Sequence, residues 1–162
     1  MIMRPLLKCL HQLGVIGFMG ALAAQLLLVL AAGDAALQLP WRQAAATISG
    51  WLVMPALLLA ILTGMLLMMA HPPFIAARWV WAKALLGMVV GAVLFFGVQT
   101  AVTQALQLAG APPASANAAL LQQALRTEWA GGWIAMAVSL AAVALAVWRP
   151  RLAAPGQNPD AD

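Results

Sequence analysis

The chain alternates between long apolar runs and short polar breaks. Four runs, about 5–32, 51–70, 79–99 and 129–148, reach the roughly 20 apolar residues that a bilayer crossing needs. Thr63 is the one polar side chain in the second run, Lys83 interrupts the third, and Ser139 sits in the middle of the fourth. None of the runs alternates apolar and polar residues with period two, so a β-barrel is excluded. Lipid supplies no backbone hydrogen-bond partners, and each run must therefore be helical. The prediction is an all-α protein: a membrane-embedded four-helix bundle forming one domain over residues 1–152.

The breaks carry turn chemistry. Gly33, Asp34 and Pro40 punctuate the first join, and Pro72-Pro73 ends the second helix and shortens the next turn. The third join opens at Ala111-Pro112-Pro113 and extends to about Thr127. Within it, Ser115 is placed to cap a short surface helix ending at Arg126, with Leu120, Leu121 and Leu125 on one side. The tail 153–162 bears Pro, Gly and Asp and reads as disordered.

Composition narrows the solvent. Charged residues make up 7% of the chain and hydrophobic ones 65%, against roughly a quarter charged in a soluble domain. So few charges cannot cover a water-facing globule. The net charge of +4 is dispersed between apolar runs and builds no phosphate-tracking stripe, so nucleic acid is not a partner. Cys9 is the only cysteine, which rules out an intrachain disulfide or a thiolate cluster, and it reads as a buried apolar thiol. The apolar stretch 13–32 is longer than the roughly 7–15 residues of a secretory signal core. It is expected to be a retained first span.

Cations set the expected orientation. With the N-terminus inside, Arg4, Lys8, Arg78, Lys83, Arg149 and Arg151 fall on the inner side, and Arg42 and Arg126 on the outer. Asp34 and Glu128 accompany the outer two in their loops. The seven tryptophans agree, because each lies near a span end: Trp41, Trp51, Trp129 and Trp133 outside, Trp79, Trp81 and Trp148 inside. The expectation is N-in, C-in, with both termini cytoplasmic. Gly14, Gly17 and Gly20 in the first run, and Gly87 and Gly91 in the third, suit close helix packing within the bundle.

Polar groups inside spans are the functional candidates: Lys8, His11, Gln25, Thr63, Lys83, Gln99 and Ser139, with His71 at the edge. By helical rise, His11 and Lys83 each lie several residues in from the inner side, where His71 also ends the second run. On the first helix His11, Gly14, Phe18, Ala21 and Gln25 share a stripe; on the third Lys83, Gly87, Gly91 and Phe95 do. A histidine on a glycine-lined face leaves room for a flat cofactor. Against this stand plainer uses. Either lysine can snorkel to the interface, His11 can bond a backbone carbonyl, and Gln25, Thr63 and Ser139 can make interhelical or i−4 backbone bonds. Met65, Met68 and Met69 read as lipid-facing or packing residues. No phosphate loop, paired carboxylates, HExxH or GxSxG occurs, so hydrolase and kinase chemistry has no residues to use.

The stretch Leu7-Lys8-Cys9-Leu10-His11-Gln12-Leu13-Gly14 resembles the first helix of a superfamily of small bacterial membrane proteins. That superfamily includes the copper-resistance D proteins and the HemJ type of protoporphyrinogen oxidase. Val53-Met54-Pro55-Ala56, Thr63-Gly64 and Trp79-Val80-Trp81-Ala82-Lys83 extend the likeness over about 4–104. It is nearest to the uncharacterised four-span members, in which a run like His71-Pro72-Pro73-Phe74 precedes the W-x-W-x-K stretch. The resemblance implies that His11 binds haem b and that Lys83 has a functional role. The further histidine and arginine positions of the HemJ type have no counterpart here. Met54, by helical rise, falls about 10–15 Å from the level of His11, too far to share one iron.

Two readings follow. In the first, the protein has no complete catalytic set and serves as a subunit, assembly factor or metal- or haem-handling protein, within a larger membrane complex or a homo-oligomer. In the second, it is a haem b redox protein. His11 is then the axial iron ligand, Lys83 pairs a propionate, and His71 is a second ligand.

Overall fold

A computed structural model describes residues 3–31, 38–70, 78–111 and 114–148. Asp34, His71, Pro72-Pro73 and the 153–162 tail lie outside the described residues. Those that are described form four long helices and no strand. Helix α1 is Met3–Ala31. Helix α2 runs through Gln38–Ile48, a π-helical turn at Ser49–Val53, and Met54–Met69. Helix α3 repeats that plan with Arg78–Ala92, a π-helical turn at Val93–Val98, and Gln99–Gly110. Helix α4 is Ala114–Trp148.

Every helix is long and apolar enough to cross a membrane, and the fold is the predicted all-α four-helix bundle. Three helices overrun their predicted spans. The apolar stretches Leu39–Met69, Val80–Gly110 and Ala118–Trp148 each have 31 residues, or about 46 Å of helix against about 30 Å of hydrocarbon. Of the residues read as outer loops, 38–50, 100–110 and 114–128 are instead helical extensions, and the short surface helix expected at 115–126 is the first part of α4. Pro40 does not break the chain either. It falls in the first turn of α2, where a missing N–H costs nothing.

The π turn in α2 has a cause in the sequence. Pro55 has no N–H to give the Trp51 carbonyl, and its ring crowds that carbonyl. The ladder ahead of it loosens: the Met54 N–H reaches five residues back to Ser49 instead of four. In α3 the Gln99 N–H makes the same i−5 bond to Leu94.

Neighbouring helices run antiparallel in the order α1, α2, α3, α4, and α4 closes back on α1. The start of α1 and the end of α4 therefore share one end, called here the terminal end; the other is the distal end. Arg4 Nη2 donates to the Ala70 carbonyl at 3.1 Å, placing a cation on the negative end of the α2 dipole. Phe18, Leu22, Val53, Leu57, Leu94 and Val98 lead the core. Outside it, Ile16, Leu62, Met65, Met69, Phe96 and Val147 are half to three-quarters exposed, an apolar belt too large for a water-soluble monomer.

Small residues pack unevenly. A Cβ on Gly14 would sit 2.8 Å from the Ala60 nitrogen, so α1 and α2 touch backbone to backbone there. Gly131 and Gly132 on α4 do the same for side chains: their Cβ atoms would meet Val98 and Leu26 at 2.6 and 2.7 Å. Gly20 and Gly87 face open space, and Gly91 is in ordinary contact with Ile61. The predicted pair on the third helix therefore brings no backbones together.

Candidate functional site

The terminal half of the bundle holds His11. Its place follows from the α1 register: the buried face of α1 passes through Gly14, Phe18, Ala21, Leu22 and Gln25, and His11 continues that face one turn earlier. There it meets α2. Nδ1 lies 2.8 Å from the Ala60 carbonyl oxygen. A carbonyl can only accept, so Nδ1 carries the proton and donates. The Thr63 hydroxyl donates to the Leu59 carbonyl and leaves a lone pair 3.4 Å from the same Nδ1. Gly64 completes the seat, since a Cβ there would stand 3.2 Å from His11 Cε1. The ring is thus held by one carbonyl and one missing side chain. Nε2 makes no hydrogen bond to the described residues.

Lys83 is half-buried on α3 and makes no hydrogen bond to the imidazole. His71, the third predicted member, lies outside the described residues. The glycine-lined face of α1 is not a cofactor slot, because Ala56 and Ala60 of α2 fill the space beside Gly14. The α3 stripe is also not the packed face. Its far member Phe95 is 63% exposed, whereas Val90, Leu94 and Val98 are buried. Cys9 is exposed rather than buried, being two residues and so about 200° round the helix from His11. Met54 packs against the core, six residues or about 9 Å along α2 from Ala60, and stays away from the imidazole.

The fit of a metal can be tested on the donors. Among the described residues no three His, Cys, Asp or Glu side chains converge, so from these a bare ion would have one nitrogen and little else. Iron already bound by a porphyrin needs only an axial ligand, and a histidine whose Nδ1 is pinned to a carbonyl has the orientation such ligands show. His11 fits the second case. Lys83 has the charge to pair a propionate.

Sequence reasoning missed a second polar cluster at the distal end. Arg42 and Glu128, read as loop charges, are helical and buried, 2% and 1% exposed. Arg42 Nη1 donates to Glu128 Oε2 at 2.8 Å, and Gln25 Nε2 donates to Glu128 Oε1 at 3.1 Å. One carboxylate therefore ties α1 and α2 to α4. Close by in the sequence of α2, Ser49 donates to Gln99 Oε1 at 2.6 Å and joins the two π turns. A clue was present: no glycine pair or proline separates Arg42 or Glu128 from the adjoining run, so both helices could continue through them. The other polar candidates do as expected, with Thr63 and Ser139 bonded to carbonyls three or four residues back.

Comparison with protein-family models, with curated proteins and with solved structures finds no match for this chain.

Proposed function

We propose that this chain is a multi-pass protein of the bacterial inner membrane with both termini cytoplasmic, and that it handles haem or metal as a subunit or assembly factor rather than as an enzyme. The observation that carries this is the state of His11: Nδ1 committed to the Ala60 carbonyl at 2.8 Å, Nε2 uncommitted. The likeness of Lys8–Gly14, Met54–Ala56, Thr63–Gly64 and Trp79–Lys83 to the copper-resistance D and HemJ-like superfamily supports it. So does the absence of a base or acid partner for His11 among its described contacts. The orientation rests on six of the eight cations lying in the segments of the sequence read as the inner side.

The second reading, a haem b redox protein with His11 as axial ligand, shares the same first test. Protein purified from haem-supplied cells should show a Soret band, and His11→Ala should abolish it while leaving helical content unchanged. Absence of the band after haem addition to wild type would end both haem readings. Co-purification from native membranes separates a subunit from a stand-alone redox protein: a subunit brings a larger complex with it, in wild type and in His11→Ala alike. Reporter fusions after residues 35, 75 and 152 test the orientation. Only the first should report the outer side.

A further inference from the structure

The distal cluster contains more hydrogen-bonding capacity than the protein uses. Gln25 and Arg42 are each 2% exposed, yet Gln25 Oε1 and Arg42 Nη2 have no hydrogen-bond partner among the described residues. The amide cannot simply be turned over. A carboxylate accepts and never donates, so the nitrogen must face Glu128 and the oxygen must face away. Arg42 is similarly fixed, its Nη1 being held by the other carboxylate oxygen. An acceptor and a charged donor are thus both held in place inside the bundle and left unpaired by the described residues.

Burial of such atoms is costly unless something pairs them, and a charged donor costs more than a neutral one. The guest must offer an acceptor to Arg42 and a donor to Gln25. An anion suits the arginine but would stand beside the Glu128 carboxylate; a cation suits the carboxylate but would face the guanidinium. A small neutral molecule meets both needs. Water has the right size and the two to four hydrogen bonds typical of buried sites.

We propose that Gln25, Arg42 and Glu128 form an internal hydration site at the distal end of the bundle, with water bonded to Arg42 Nη2 and to Gln25 Oε1. Through it, a carboxylate that is 1% exposed stays in contact with exchangeable protons. The proposal stands apart from the haem reading, since the two sites occupy opposite halves of α1.

Glu128 is the only glutamate in the chain, so a selective 13C-glutamate label reports on this site alone. In liposome-reconstituted protein, water-edited solid-state NMR measures magnetisation transfer from water to the Glu128 carboxyl carbon. The expected build-up is as fast as that at water-exposed side chains. In Gln25→Met, which removes the acceptor together with the amide donor to Glu128 and keeps the bulk, it should slow several-fold. Wild-type build-up as slow as that at lipid-facing leucine methyls would overturn the proposal, whatever the variant does. Fast wild-type transfer unchanged in Gln25→Met would overturn the assignment of the water to Gln25.

Discussion

The two halves of this bundle handle buried polarity in opposite ways. At the terminal end, His11 is a single ring seated on one carbonyl of α2, one hydroxyl, and the space left by Gly64. At the distal end, Arg42, Glu128 and Gln25 bond to one another, side chain to side chain, across three helices. The first arrangement leaves a nitrogen free and depends on nothing else being charged. The second engages both carboxylate oxygens, and each member depends on the rest. A polar group seated on backbone and a cluster held side chain to side chain can thus be told apart by what the loss of one member does to the others.

That contrast makes the distal end the more fragile. Glu128→Leu strands the Arg42 guanidinium among apolar neighbours, and the expected loss of stability is about 3–5 kcal/mol, read from unfolding in mixed detergent micelles. Adding Arg42→Leu should recover most of it, because replacing both members of a buried pair by apolar groups is often close to neutral. If the double variant is as unstable as the single one, the clamp is not an isolated pair.

The packing that supports the histidine comes next. Gly14→Val places a side chain 2.8 Å from the Ala60 backbone nitrogen, and overpacking of this kind costs about 1–3 kcal/mol. Gly20→Val on the same helix meets nothing within 4 Å and should leave unfolding unchanged within error. Equal effects at the two positions would mean that the α1–α2 contact is not where it is drawn here.

Gly64→Ala probes the seat directly. The new methyl would press on His11 Cε1 from 3.2 Å and turn the ring by a few tenths of an ångström. For a haem-loaded protein the expected result is an affinity lower by about tenfold, the low end of what disturbed orienting contacts cost a metal ligand. Haem titration followed at the Soret band measures it. Ser49→Ala should have the smallest effect, about 0.6 kcal/mol, the average for a hydrogen bond between membrane helices. A loss several times larger would tie the Ser49–Gln99 bond to the Arg42–Glu128 clamp.

How far the sequence could be read differed between the two sites. His11 stood out because a histidine inside an apolar run is rare, and helical spacing alone put it in line with Gly14, Phe18 and Gln25. What it bonds to was not legible, since a carbonyl has no residue identity to search for. Arg42 and Glu128 were visible as charges and misplaced as loop residues. A window that scores hydropathy ends a span at the first charge, whereas a helix ends only where its backbone bonds end. Residues 38–50 of α2, 100–110 of α3 and 114–128 of α4 are helical for that reason.

Composition and pattern by themselves determined that this chain is all-helical and lipid-facing, with four crossings. Those properties follow from how many apolar residues occur in succession, which is a count along one chain. Only the tertiary structure decided which small residues let helices touch and which polar atoms find partners. Gly14 and Gly20 are the same residue on one helix, yet one is in backbone contact and the other faces open space. Arg42 and Glu128 stand 86 positions apart, and no local pattern links them. Their pairing exists because antiparallel helices bring two distant levels of the chain to one depth, where an unpaired charge would be too costly to bury.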